Sequence, residues 1–568
     1  MKARICAAVV AQAMLGLLLA GAATGTAHAA AATYYVSPSG SDSNSGLSPD
    51  QAWKSTTKVN GFTFPQGGAT VSFQGGQTFT GCLAINGDKV PGSSATTPFK
   101  VTSYGTGQAT IKSNCTGDYS AAVAADNVSG FQLNNLKLVN GGTTAAGVLL
   151  HNQKSSTATK SMKVTGSDIS GFATPSGSGS TFGGQIMVLG YAVNGNSGPL
   201  DDVQILNNKL HGASVTSNAG PGVYGWGSGV NITNVRVEGN TVHNLGMAAQ
   251  STGAALTANG WDGAVIQRNL VHDIGANVTS CGGASGIMTY TSNNVKIRHN
   301  EVYKVQPVPA FTAGCDWDGI DLDGGTTNSV VEYNYTHDNA GSGLLAYTST
   351  AASRVWGPNT YRYNVSENDD WANAQGGLFD VVPNAPKNAL SIYGNTFFTN
   401  KDQSANKKTG ASACFMFGYA SGTWASGSQI KDNICYMANK GTYGKTGQLY
   451  YNPYGQTGMT LSNNLYYGTN TGGWRWGGTT HADFAAWKAA GLESGSVWGD
   501  PLFTSPGAGG VCTWSPTSGT GPQPCPGAYV LKSGSPALKA GTAVSGNGGV
   551  DYYGTAIPSV PNIGADAG

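Results

Sequence analysis

Charged side chains are scarce in this chain. Lys, Arg, Asp and Glu make up 10% of its 568 residues, against about 25% in an ordinary soluble domain. The 30 basic and 29 acidic residues leave a formal net charge of +1. No basic stripe runs along the sequence, which excludes a nucleic-acid partner held by phosphate contacts. Past the N-terminal segment no apolar run is long enough to span a bilayer. A Ser-His-Asp nucleophile signature, a phosphate-binding glycine loop and a CxxC zinc pattern are all missing. Helical periodicity is nearly missing too, since only ADFAAWKAAGLESGS, near the C-terminus, alternates as an amphipathic helix does. What abounds is glycine, at 85 residues, among many Ser, Thr and Asn. Together with regular β-branched and aromatic residues, these indicate short strands and many turns rather than disorder.

The N-terminus reads as a secretory signal over residues 1–29. Lys2 and Arg4 precede an apolar run from Ile5 to Ala20, and Ala27-His28-Ala29 offers a cleavage site. Cys6 lies at the start of that run, which argues against a lipid anchor. The mature chain is expected to be extracellular or periplasmic, monomeric and without a membrane span. Eight cysteines then remain, an even number suited to an oxidising compartment. Sequence-near pairing gives Cys82–Cys115, Cys414–Cys435 and Cys512–Cys525. Cys281 and Cys315 pair as residues preceding equivalent segments of successive repeats.

An internal repeat sets the architecture. Alternating apolar residues, an Asn, one further residue and another apolar residue recur as VQILNNKL, VRVEGNTV, AVIQRNLV and VKIRHNEV, and onward to TLSNNLYY. The marker asparagines are Asn208, Asn240, Asn269, Asn300, Asn334, Asn364, Asn395, Asn433 and Asn464, on average 32 residues apart. Asn134 and Ser167 mark two earlier turns. Period-two alternation sends one set of side chains inward, and a polar residue at a bend bonds neighbouring backbone. Stacked coils of this kind form parallel sheets. The sequence therefore predicts an all-β, single-stranded right-handed parallel β-helix of roughly eleven coils, about 50 Å long at 4.8 Å per coil. Residues 30–120 form an N-terminal cap and first coils, 121–470 the regular helix, and 471–568 a C-terminal cap helix and extended tail closing the end.

The opening YYVSPSGSDSNSG, the N-x-apolar coils and the ending DPLF, SPALKAG and IGADAG resemble secreted bacterial proteins of the pectate-lyase-like β-helix superfamily. That resemblance covers nearly the whole mature chain. It implies a carbohydrate-active enzyme, a glycoside hydrolase or a polysaccharide lyase, acting on an extracellular polysaccharide or oligosaccharide. The short basic motifs of classical pectate lyases are not found.

Chemistry concentrates in CDWDGIDLDGG, where Asp316, Asp318, Asp321 and Asp323 fall within eight residues. With Ile320 and Leu322 inward, Asp321 and Asp323 point outward from one strand, about 6.5–7 Å apart along it. Paired carboxylates at such spacing suit either class of glycosidase, and each raises the other's pKa. Asp321, Asp323, Asp380 and Asp318 are therefore the candidate catalytic residues. The cluster also offers oxygen ligands for Ca²⁺, through Asp316, Asp318, Asp321 and Asp323; no other cofactor is implied. Tyr290, Tyr347, Trp356, Arg354, Trp226 and Tyr224 are the candidate sugar-binding residues, aromatic faces being suited to stack on rings. Met288 and Leu345 share the outward alternation, and Trp261 with Asp262 adds an aromatic two coils earlier. A lyase would need a base, for which Lys387 and Arg354 are nearest in sequence. A non-catalytic polysaccharide-binding or adhesin-like role is the third alternative. His211, His243, His272, Tyr303 and His337 all stand three residues after a marker Asn. That column suggests a stacking ladder rather than a metal site, on a face away from the aspartates.

Overall fold

The computed structural model describes residues 31–117, 119–153, 156–173, 183–190, 198–213, 220–227, 229, 231–246, 254–277, 284–306, 316–372, 377–383, 385–401, 413–418, 420–438, 448–468, 473–512, 525 and 527–568. The proposed signal segment and the Cys281–Cys315 pair lie outside them. Residues 31–568 form one compact unit.

Three sheets of 16, 14 and 14 strands run through this unit. The chain visits them in rotation, so each strand pairs in parallel with its equivalent one coil on. The first sheet extends from Ala32–Val36 to Thr457–Ser462. The second, carrying the imidazoles, extends from Thr78–Thr80 to Val497–Trp498. The third, carrying the aspartates, extends from Leu83–Asn86 to Thr479–His481. Within these three sheets only the last step, Trp474–Trp476 against Thr479–His481, is antiparallel among the described strands. The architecture is a right-handed parallel β-helix, as the sequence indicates. The described strands complete thirteen turns rather than roughly eleven. The two extra turns begin at Ala69 and Phe99 and bend through Gly-rich corners with no marker Asn.

The alternation produces inward columns. Val164, Ile205, Val237, Ile266, Ile297, Val331, Tyr361 and Ile392 stand in register on successive strands of the first sheet, and all are buried. Stacking like on like removes a continuous apolar strip from water, which no single coil can do alone.

The marker asparagines form an unbroken side-chain ladder. The Oδ1 of Asn334 accepts from the backbone N–H and the Nδ2 of Asn300, each at 3.0 Å. Its own Nδ2 donates to Asn364 Oδ1 at 3.0 Å and to the Ile297 carbonyl at 2.9 Å. The pattern runs from Ser167 through Asn208 to Asn464 and ends where Asn464 meets Glu493 and Ser496. These amides satisfy buried backbone groups at the corner. The left-handed residue of the bend is the one before each marker, such as Arg268 (φ 54°), His299 (φ 53°) or Tyr333 (φ 59°). Asn134 is not a rung of this ladder. Leu136 occupies that place, its N–H meeting Ser167 Oγ, and Asn134 ends the preceding strand with its side chain exposed.

The imidazole column is a stack. Ring centroids of His211, His243, His272, Tyr303 and His337 follow one another at 5.0, 5.1, 4.9 and 4.7 Å, the ring planes nearly parallel. Burial, with neighbouring cationic and imidazole groups, pushes His243 down to about 4.

Three disulfides match the sequence pairings: Cys82–Cys115, Cys414–Cys435 and Cys512–Cys525. The cap helix is one and a half turns long, Phe484–Ala489, shorter than the amphipathic stretch. Asp483 caps its N-terminus and Trp487 is buried beneath it. The tail is described over residues 499–512, 525 and 527–568. It folds back along the outside of the second sheet, where Tyr529, Tyr552, Ile563 and Ala565 bury Tyr333, Tyr335, Tyr363, Tyr393 and Phe398. Cys512 N–H reaches Glu301 Oε1 at 2.9 Å, and Gly564 N–H reaches the Asp432 carbonyl at 2.8 Å. Among the described residues no helix is long and apolar enough to cross a membrane.

Candidate active site

The outward positions of the third sheet fall into two columns. Tyr224, Thr257, Met288, Asp321 and Leu345 stand in register on consecutive strands, and residue 380 follows Leu345. Trp226, Asn259 and Tyr290 form the second column. Asp323, one residue past the strand Ile320–Leu322, continues it, since Leu322 pairs with Thr289. In backbone register, position 380 is two strands from Asp321, about 10 Å away; the Asp380 side chain lies outside the described residues. The inward partners Ile320 and Leu322 are fully buried and hold the strand's register.

These columns floor a cavity of about 530 Å³. Asp316, Asp321 and Asp323 line it with Tyr224, Trp226, Tyr290 and Tyr347. Tyr224 and Trp226 stack on each other, centroids 5.8 Å apart. The aspartates are outward-facing and yet hidden: Asp321 is 5% exposed and Asp323 9%. One carboxylate oxygen of Asp321 has no hydrogen-bond partner, a costly state for a charged group. Burial accordingly pushes Asp321 well above the usual carboxylate range, with the charges of Asp323, Asp318 and Asp316 adding to it. Asp323 is pushed up to about 7, mainly by burial and against the hydrogen bond it accepts from Gly324 N–H. Burial lifts Asp316 to about 6.

The backbone leading in is unusual. Asp316 and Trp317 are consecutive non-glycine residues at φ 51° and 64°. Such conformations cost of order 1 kcal/mol or more each and persist where the surroundings impose them. Trp317 is buried in the core directly below.

Several sequence candidates lie elsewhere. Asp318 does not line the cavity. It is buried behind it and accepts from Ser342 N–H (2.9 Å) and Oγ (2.6 Å), which makes it a support for the strand. Trp356 is a core residue, 1% exposed, donating from Nε1 to the Leu322 carbonyl at 2.8 Å. It sits beneath the strand that bears the aspartates. Trp261 is likewise buried in the core. Arg354 bonds Thr327 Oγ1 at 2.7 Å along the corner between the first and third sheets and does not enter the cavity. Lys387 lies over the ring of Trp424, 5.2 Å from its centroid. Alternation alone does not reveal these burials, because the corner segments carry the chain from outside to inside between strands. Asn259 and Tyr361 are among the residues that the sequence reading did not name. Asn259 lines the cavity, one coil before Tyr290 in the same column. Tyr361 is a core tyrosine donating from Oη to the Leu345 carbonyl at 2.6 Å. Aligning successive repeats on the marker Asn would have brought Asn259 into the column.

A calcium site needs about six to eight oxygen ligands. Among the described residues no three Asp, Glu, His or Cys side chains converge to hold a metal ion; one Asp318 oxygen accepts from Ser342, and the other is buried with no hydrogen-bond partner.

No protein-family model matches the chain, and no curated protein matches it. Solved structures similar to it include a GH136 lacto-N-biosidase from Eubacterium ramulus, at 17% identity and TM-score 0.42, over 66% of each chain. XylC in complex with xylose is similar at 8% identity and TM-score 0.44, over 94% of this chain and 98% of that one. The pectate lyase Pel9A follows at 12% and 0.37, over 94% and 95%. The chain spans just under two thirds of the first of these. None of these likenesses bears on what this chain does.

Proposed function

We propose that this chain is a secreted glycoside hydrolase whose reacting pair is Asp321 and Asp323. The observation that supports it most is an acidic pair raised above the ordinary carboxylate range on the floor of an aromatic-walled cavity. Asp321, held protonated by burial and by its neighbours' charge, donates its proton to the departing glycosidic oxygen. Asp323, ionised above about pH 7, takes a proton from the attacking water or attacks the sugar itself. Carboxylate separation decides between these two routes. Asp380, two strands along in backbone register, is the assisting carboxylate of this reading. Tyr290, Tyr347, Tyr224 and Trp226 supply flat faces for sugar rings. The disulfides suit an extracellular setting.

A lyase needs a base and a cation to neutralise a uronate. The two basic residues proposed for those roles are engaged outside the cavity, and no Lys, Arg or His is among its described lining residues.

The test is incubation of the mature protein with neutral and uronate polysaccharides, with and without a chelator. Expected are new reducing ends without unsaturated products, unaffected by chelation. Asp321→Asn and Asp323→Asn should each lower turnover by about 10²–10⁴-fold. Unsaturated products that vanish with chelator would make the aspartates metal ligands and overturn the assignment.

A further inference from the structure

Two carboxyls suffice for the reaction proposed above, yet three line the cavity. Asp316 has no part in that chemistry, and its charge reaches both Asp321 and Asp323. No positive group answers these acids. The described lining contains no Lys, Arg or His, and no cation is among the groups that shift Asp316, Asp321 or Asp323. In sequence, the segments that precede strands of this sheet hold none either: residues 214–219, 247–253, 278–283, 307–315 and 373–376 contain no Lys, Arg or His. Hydrogen bonds do not satisfy the acids instead. Asp321 is 5% exposed and faces the cavity, and one of its oxygens meets no donor. Negative charge buried without a partner is costly, and a ligand that brings a positive donor removes that cost on binding. The walls suit such a ligand. Tyr224, Trp226, Tyr290 and Tyr347 line the cavity with the acids, and aromatic faces attract cations as well as stacking on sugar rings. An ammonium group supplies three donors and accepts from none, which matches a lining rich in open acceptors.

We infer that the cavity favours a glycan bearing a primary amine, with the ammonium of an amino sugar held against Asp316 beside the reacting pair. This rests on the glycosidase reading of Asp321 and Asp323, but the preference can be measured without turnover. In the test, Asp323→Asn protein, in which cleavage is slowed, is titrated calorimetrically with tetramers of glucosamine and of galactosamine and with their N-acetylated counterparts. The same titrations are run on protein carrying Asp316→Asn as well. At pH 7 Asp316 is ionised and an amine of the α-amino class is protonated. Calcium and magnesium chlorides are titrated alone in the same way. Expected is affinity at least about tenfold higher for one of the amine tetramers than for its N-acetylated counterpart, since pairing a desolvated charge is worth that much or more. Asp316→Asn should erase most of the difference and leave the N-acetylated tetramer bound as before. Equal affinity for the two forms, tighter binding of the N-acetylated one, a preference that survives the loss of Asp316, metal binding that Asp316→Asn abolishes, or binding of no sugar would each overturn the amine site. Wild-type digests keep the two readings apart. Amine-selective binding with no cleavage of amine glycans by wild type would retain the site and remove the hydrolase reading. Cleavage of N-acetylated glycans without any preference for the amine would do the reverse.

Discussion

Replacing Asp316 by Asn removes one negative charge from the cavity and leaves Asp321 and Asp323 in place. Asn is the fitting replacement, because residue 316 sits at φ 51°, a conformation Asn tolerates better than most residues. The Asp316 charge helps hold both Asp321 and Asp323 up, so its loss lets both carboxyls ionise at lower pH. The size follows from the cavity. A volume of about 530 Å³ is roughly 10 Å across if spherical, which bounds the separation of groups facing each other over it. At an effective dielectric of about 20, two charges 10 Å apart interact by about 1.7 kcal/mol, equivalent to roughly one pH unit. Asp316 is itself ionised above about pH 6, so the effect is present on both limbs of a neutral bell. The assay is kcat/KM against pH for wild type and Asp316→Asn on whichever neutral glycan is cleaved. Both limbs should move to lower pH by about one unit. A profile that stays put, or that moves to higher pH, would refute the claim that burial and mutual charge set these groups. The position of the limbs carries the test, not the height of the bell.

Trp356→Phe should cost about 1–3 kcal/mol in urea unfolding, because the Leu322 carbonyl loses its buried donor; an unchanged midpoint would return Trp356 to the surface. Asn334→Ala breaks the ladder at one rung and strips the Asn300 N–H of its acceptor, so about 1–3 kcal/mol should be lost per orphaned buried group, read in the same way. His337 is raised to about 9: burial alone would lower it, but hydrogen bonds to Asp338 and Glu301 outweigh burial. Its folded value exceeds the unfolded value of about 6.5, so its stabilisation is full below pH 6.5 and is lost as pH rises through about 9. Thermal midpoints measured from pH 6 to 10 should fall across that window, and His337→Phe should flatten the fall.

The repeat was legible because one residue type recurs at one corner for a physical reason. Each marker amide must meet the next, so neither Asn nor its spacing from the flanking apolar positions can drift far. The first two turns were harder to read because Gly-rich bends satisfy the same corner without a side chain. The outward direction of Asp321 and Asp323 followed from alternation around Ile320 and Leu322. What alternation could not convey was depth. Met288, Asp321 and Leu345 point away from the core and are still buried, because burial there depends on segments distant in sequence. Trp356 and Arg354 went the other way for the same reason: a corner sets side-chain direction by its own turn geometry, not by strand period. The stacked imidazoles were legible from spacing alone, since a parallel register places equal offsets on top of one another.

The returning tail has a consequence for how such a chain can change length over evolutionary time. Its attachments span from Glu301 to Asn463, gripping a fixed run of coils at both ends. A coil gained or lost before Glu301 leaves every one of those attachments in register. A coil gained or lost within the gripped run would move one set by about 4.8 Å against the other, and the tail would have to lengthen or shorten in the same event. Insertions and deletions of whole coils are therefore expected to accumulate on the N-terminal side, while the portion under the tail, with the aspartate strand inside it, keeps its count.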